Sequence, residues 1–320
     1  MHVFSAALCC APVAHTGFLW GRMTPMRIVV AGSSGVLGRD IVAELSRSGH
    51  EVVRLVRRPA ADVNEITWDP YGPAFGAEIV AKADAVLNLC GAPVAGARWT
   101  PAYKAELRNS RIVPTEVLAR AVAEAGVPVL LNASAAGFYG DTGDQDVDES
   151  RPAATDFLGT MCRDWEAATA VAAAAGARVV LLRTSNVLAA ESEMITRLRP
   201  IFKLGLGGRF GSGTQYLPWI SLRDWTAAVA SLLTGTVAGP VNLVAPEAVT
   251  NAEFARAFAA ALHRPAKLVL PGAVLKLIGG EAGAELLHGH KMRPNVLVAN
   301  GFEFEHATLR SAFAWAFAEK

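Results

Sequence analysis

Three glycines at three-residue spacing, Gly32, Gly35 and Gly38 in "VVAGSSGVLGRDI", are the residues whose type and spacing speak most directly of chemistry. They follow a β-branched run and open an amphipathic one, so they sit where a strand hands over to a helix. A turn this tight needs one residue free of Cβ, close approach of a ligand needs another, and packing of helix on strand needs a third. The segment Gly32, Ser33, Ser34, Gly35, Val36, Leu37 and Gly38, with the dipole of the helix behind it, then turns its amides on an anion. A dinucleotide diphosphate suits this arrangement; an ordinary glycine turn is the plain alternative.

The second strand ends in "RLVRRP". An NAD(H) site commonly places a carboxylate there for the ribose 2′-hydroxyl, whereas Arg57 and Arg58 offer guanidiniums suited to a 2′-phosphate. NADP(H) is therefore the expected cofactor and NAD(H) the weaker candidate, with a pair of solvated surface arginines as the alternative. Further on, "DAVLNLCGAPV" brings Asn88, Leu89, Cys90 and Gly91 to the carboxyl edge of the sheet, where backbone contacts to the adenine-side ribose are expected. Cys90 reads as a small packing residue there rather than a nucleophile. Arg111, in "NSRI", is expected either to approach the cofactor or an acidic substrate, or to pair with an acidic loop residue. Glu106 stands five residues before it, off the i, i+4 spacing.

To position these groups the chain must alternate strands and helices, and from Arg27 it does. "RIVVAG", "EVVRLVRR", "ADAVLNLCG", "PVLLNASA" and "ARVVLLRTS" read as strands. The intervening helices run from Val36, over about Pro101 to Ala125, and over about Thr155 to Ala175. Beyond residue 190 the alternation fades into "LGLGGRFGSGTQYLPW", where Gly207, Gly208, Gly211 and Gly213 surround Arg209 ahead of Gln215, Pro218 and Trp219. That segment suits a substrate lid or a buried structural loop. The fold class is α/β, a Rossmann-type doubly wound parallel sheet with a smaller C-terminal substrate-side lobe. Residues 1–25 read as an upstream extension or a start codon assigned too early, with a targeting sequence as the alternative. Residues 26–190 form the NAD(P)-binding domain, and residues 191–320 the lobe interwoven with it.

With 320 residues, 52% of them hydrophobic and 18% charged, the chain can bury a large core. Its net charge of +1, from 30 basic and 29 acidic residues, offers no field for nucleic acid or an anionic membrane. The apolar N-terminal run is interrupted by Pro12 and Gly17 and is too short for a span. Cys9, Cys10, Cys90 and Cys162 show neither a disulfide framework nor metal-ligand spacing, which fits a reducing cytosol. His288 and His290 in "LLHGHK" read as a surface turn rather than a metal site.

The ordered segments "GSSGVLG", "ITWDP", "DAVLNLCGAPV", "RWT" with "LRNSRI", "NASAAGFYGD", "DWE", "LGLGGRFGSGTQYLPWI", "TNAEFA" and "HGHKMRPNVLVANGFEF" resemble the NAD(P)-binding epimerase-family proteins of the extended short-chain dehydrogenase/reductase superfamily, those ending in a small C-terminal domain of unknown function. The resemblance runs from Met26 nearly to Lys320. It implies an oxidoreductase or epimerase acting on a small, sugar-like or nucleotide-linked substrate. The superfamily moves a proton through a Tyr activated by a Lys four residues later, with a Ser or Thr on the substrate oxygen. Aligned on Glu166, those two positions hold Leu158 and Cys162; measured back from Tyr139, the Ser/Thr position falls on Ala135, with the adjacent Ser134 as its substitute in another register. The usual proton-transfer pair is thus expected to be missing, leaving Tyr139, Ser134 and Cys162 as the candidate proton donors, each with a plain structural alternative, and for Tyr139 packing of the loop over the cofactor is the favoured one. A cofactor-binding sensor acting on a protein partner, as some relatives are linked to cell division, is the competing expectation: the missing Tyr/Lys pair favours it, while the intact glycine turn and the glycine-rich segment favour an enzyme.

Overall fold

The computed structural model describes residues 24–72 and 76–318. The expectations for Cys9, Cys10 and nearly all of the N-terminal extension lie outside the described residues. In chain order the elements are β1 (Arg27–Ala31), α1 (Val36–Arg47), β2 (Glu51–Val56), β3 (Glu65–Thr67), β4 (Ala85–Asn88), α2 (Pro101–Ala125), β5 (Val129–Ala135), β6 (Asp146–Val147), α3 (Phe157–Ala167) and α4 (Ala170–Ala174). There follow β7 (Arg178–Thr184), β8 (Asn186–Leu188), α5 (Glu193–Lys203), β9 (Gly208–Phe210), β10 (Trp219–Ser221), α6 (Leu222–Thr234), β11 (Gly239–Leu243) and α7 (Asn251–Ala261). The chain closes with β12 (Leu268–Leu270), α8 (Gly272–Glu285), β13 (Lys291–Met292), α9 (Asn295–Ala299) and α10 (Leu309–Ala316).

The expected doubly wound sheet forms: seven strands in the order β11-β7-β5-β4-β1-β2-β3, every neighbouring pair parallel. Both of its faces are buried, which is why the strands read as unbroken apolar runs. Alternate residues serve opposite faces. Ile28, Val30, Leu87 and Leu131 pack with Ile41 and Leu45 of α1 and with Trp225 and Val229 of α6. Val29, Val86 and Leu130 pack with Leu118 and Val122 of α2 on the other side. From β1 the chain winds out to β2 and β3, then crosses to β4 on the opposite flank of β1. This reversal opens a crevice at the carboxyl ends of β1 and β4, where such folds take their ligands.

The long helix expected from Pro101 to Ala125 has those bounds: the Thr100 side chain accepts from the Tyr103 amide at 3.2 Å, and Gly126 closes it at φ 67°. The single helix expected from Thr155 to Ala175 is instead two, α3 and α4. The Thr169 hydroxyl donates to the Glu166 carbonyl at 2.7 Å, competing with the helical ladder at the break. Strand β11, not expected from the sequence, completes the sheet with Pro240 at its edge, where a missing amide costs least. Among the described residues no helix is long and apolar enough to cross a membrane.

Candidate nucleotide site

Gly32 leaves β1 at φ 79°, and a Cβ there would stand 2.6 Å from the Leu89 carbonyl carbon. The turn therefore runs hard against the end of β4. A Cβ on Gly38 would lie 2.3 Å from the Gly32 carbonyl oxygen, so α1 is packed onto the turn with no room between them. Gly35 differs. It is the N-cap of α1 in ordinary extended geometry, and the atom nearest to a Cβ added there, the Gly32 carbonyl oxygen, would be 3.8 Å away. Ser34 and Gly35 are exposed, Ser33 is buried, and Val36 and Leu37 lean on the core. No side chain caps α1, and its first turn holds no acidic residue, so its opening amides face outward with the positive end of the helix dipole.

The two arginines after β2 part ways. Arg58 grips Glu65 with two bonds, Nη1 to Oε2 at 2.7 Å and Nη2 to Oε1 at 2.6 Å. The Arg58 guanidinium and the Ala61 amide hold the Glu65 carboxyl down to about 2, and the carboxylate in turn raises the pKa of Arg58. Arg57 is exposed and has neither a hydrogen bond nor an ion pair among the described residues. Its positive charge favours the ionised forms of Cys90 and Tyr71, against the larger effect of their burial. Glu65, which sequence reading passed over, decides which arginine is free.

At the end of β4 the Asn88 amide donates to Thr115 at 2.9 Å and Asn132 at 2.7 Å, and its Oδ1 accepts from the Cys90 amide at 3.1 Å. This buried knot fixes the path of Leu89, Cys90 and Gly91. Burial pushes the Cys90 thiol up to about 12 despite the Arg57 charge, as suits a packing residue. Arg111 lies beneath Gly91, 7% exposed, and donates to the carbonyls of Ala92 and Leu107. The acidic loop partner considered for it is not there: among the described residues it has no carboxylate neighbour.

Around β5, α3 and β7, Ser134, Tyr139, Glu166 and Arg183 form one buried network. Arg183 donates to both Glu166 oxygens at 2.9 Å, to the Tyr139 hydroxyl at 3.0 Å and to the Glu149 carbonyl at 3.1 Å. Ser134 donates to Glu166 at 2.6 Å, and Tyr139 to Asn242 at 2.7 Å. Burial raises the Tyr139 phenol to about 12 in spite of Arg183. Cys162 is fully buried, its thiol likewise pushed up to about 12. Leu158 packs against Gly137 at the start of α3. The three candidate donors are thus gathered in one region, with both hydroxyls committed to partners and the thiol shut away from solvent.

The glycine-rich segment after residue 205 is largely structural: Gly208–Phe210 pairs with Leu268–Leu270, and the fully buried Trp219 donates to the Glu247 carbonyl at 3.0 Å. Arg98 reaches the Leu277 carbonyl at 3.3 Å, while Trp99 is buried edge-on to Phe157. The surface turn expected at "HGHK" is corrected. His290 turns inward with Nδ1 2.6 Å from the Gly140 carbonyl, and Gly289 accepts from the Thr142 amide at 2.9 Å. Among the described residues no group of His, Cys, Asp and Glu could hold a metal ion.

The model of the NAD dependent epimerase/dehydratase family matches residues 28–245, and a domain of unknown function, DUF1731, matches residues 270–316. Epimerase family protein Mb2239 of Mycobacterium bovis is 47% identical over 291 residues, which cover 90% of this chain and 97% of that protein. A crystal structure of human epimerase family protein SDR39U1 with NADPH superposes at TM-score 0.84 with 31% identity, covering 91% of this chain and 99% of that one. A nucleoside-diphosphate sugar epimerase from Corynebacterium glutamicum gives TM-score 0.77 and 32% identity over 91% of this chain and 58% of its own. The chain therefore belongs to the NAD dependent epimerase/dehydratase family, in the extended short-chain dehydrogenase/reductase superfamily and of the kind that ends in DUF1731.

Proposed function

We propose that the protein binds NADP(H) in the crevice between β1, β2 and β4 and serves hydride chemistry on a small carbonyl or nucleotide-linked substrate. The observation that carries this reading is Gly35, a glycine that no atom of the protein itself requires, standing exposed at an uncapped helix start. The amides of Ser33 to Gly38 would hold the diphosphate. Arg57, the unengaged guanidinium, would take the 2′-phosphate, with Arg58 held back by Glu65. When bound, the cofactor supplies a hydride donor or acceptor. The NADPH found with human SDR39U1 supports the same cofactor here, and the sugar epimerase likeness supports a nucleotide-linked substrate. The unpaired thiols of Cys90 and Cys162 suit a reducing cytosol.

A second reading has its own observation. With Leu158 and Cys162 in place of the Tyr and Lys, and the Ser134 and Tyr139 hydroxyls engaged, the residues offer no evident proton donor. On this reading the protein is a cofactor-dependent sensor for a protein partner. Fluorescence titration with NADPH and NADH tests the site: Arg57→Ala is expected to weaken NADPH about tenfold and to spare NADH. Arg58→Ala should do less. Equal loss of both cofactors would refute the arginine assignment. Oxidation of bound NADPH across a panel of carbonyls and nucleotide sugars separates the readings, complete inertness counting for the sensor.

A further inference from the structure

The near-neutral total charge of the chain conceals a division. Residues 194–213 carry four Lys or Arg and residues 262–280 carry three, and neither segment contains an Asp or Glu. That leaves 23 of the 30 basic residues to face all 29 acidic ones in the rest of the chain. The fold brings the two basic segments together: β9 pairs in parallel with β12, the Leu268 amide donates to the Gly207 carbonyl at 3.4 Å, and Arg264 Nε donates to the Lys203 carbonyl at 2.9 Å. Lys203, Arg209, Arg264, Lys267 and Lys276 are all exposed. The two arginines donate only to main-chain carbonyls, and none of the five has a carboxylate partner among the described residues.

The same two segments are where the protein leaves apolar side chains in water. Of thirteen large apolar side chains exposed among the described residues, eight belong to them. Leu204 is 75% exposed, Leu277 78% and Ile278 72%. A strand turns successive residues to opposite faces, yet Leu268, Val269 and Leu270 of β12 are all exposed, so both faces of that strand meet solvent. Cation and aliphatic side chain recur as neighbours at Lys203-Leu204, Lys267-Leu268 and Lys276-Leu277. This mixture decides between occupants. A second copy of the chain would set like charges against one another across a self-complementary contact. A nucleic acid would satisfy the cations, but aliphatic groups give its bases no ring to stack on. An anionic bilayer satisfies both, with the apolar groups at the acyl boundary and the basic heads, on their long stems, among the phosphates.

We infer that this face, built from the end of α5, the β9–β12 ribbon and the start of α8, seats the protein on the surface of an anionic membrane. The inference stands apart from the cofactor reading and needs nothing bound in the crevice. Flotation of the full chain with vesicles of phosphatidylglycerol and phosphatidylcholine in equal parts is expected to carry the protein with the lipid at low salt. Binding should fall at least about tenfold in high salt, and likewise on vesicles of phosphatidylcholine alone. Each cation near such a surface is worth about fivefold in partitioning, so Lys203→Glu combined with Lys267→Glu should lose about 25-fold or more. Leu204→Asp combined with Leu277→Asp, which leaves every cation in place, should lose at least about tenfold. Arg120→Glu, exposed on α2 and outside this face, should bind as the wild type does. All these positions except the half-buried ones are spared, so the variants should melt like the parent chain. Absence of binding to the mixed vesicles at low salt would overturn the inference. Binding that survives the double aspartate change, or a DNA duplex held more tightly than the vesicles, would also overturn it, as the mark of a general polyanion site. Equal loss in Arg120→Glu would do the same, as the mark of net charge alone.

Discussion

At the scale of single residues, the three glycines of the turn are distinct in what they answer to. Gly32 and Gly38 are demanded by the protein's own backbone, Gly35 by nothing in it. Gly38→Ala should therefore cost about 3 kcal/mol of stability through overpacking, read by urea unfolding. Gly35→Val should melt like the wild type yet lose NADPH binding. Glu65 makes a prediction of the same kind in pH. Its folded pKa of about 2 lies below the ordinary value of 4.5, so its contribution is complete above about 4.5 and is lost as pH falls toward 2. The advantage of the wild type over Glu65→Gln, followed as the melting-temperature difference, should shrink over that window and be flat above it.

At the scale of elements, the Glu166–Arg183 pair joins α3 to β7, and Ser134 and Tyr139 tie it to β5 and the turn after it. Removing one partner leaves an uncompensated buried charge. Glu166→Leu should lose about 3–5 kcal/mol, and combining it with Arg183→Met should recover much of that loss. A double-mutant cycle by chemical denaturation checks both. This network is also where the sequence was least legible. Strands β1, β2, β4, β5 and β7 and helices α1 and α2 are written in local periodicity, and the glycine turn in local spacing. The partners of Arg183 are contributed by residues 139, 149 and 166, and Ser134 joins through Glu166, all brought together only by the sheet. Glu65 escaped notice for the same reason, its meaning lying in the bend that returns it to Arg58. Strand β11 was missed because Gly239 and Pro240 mask its propensity, and its register comes from β7 alone.

At the scale of the whole molecule, carboxylates within and just after the family core hold the backbone of the C-terminal segment. Glu149 accepts from the Val296 amide at 3.2 Å, Asp224 from those of Glu305 and His306 at 2.7 and 3.1 Å, and Glu247 from that of Leu309 at 2.6 Å. The Asp224 side chain also accepts from Ser221 at 2.7 Å. The matched units at 28–245 and 270–316 should consequently unfold together, giving coincident melts by near-ultraviolet dichroism and tryptophan fluorescence. Asp224→Ala leaves several buried donors without an acceptor. It should lower the common transition by at least about 2 kcal/mol, and separation of the two melts would show that the units are independent.

Helix α10 closes one of the cores: Phe313 lies against Phe254 at 5.5 Å and against Phe258 at 5.4 Å between ring centroids. A nascent chain that has emerged from the ribosome only as far as residue 290 must hold those aromatic rings uncovered while β1 to β11 are already free to pair. Synthesis of this protein therefore passes through an interval in which a complete sheet carries an unfinished, adhesive flank, the stage at which a chaperone has most to shield.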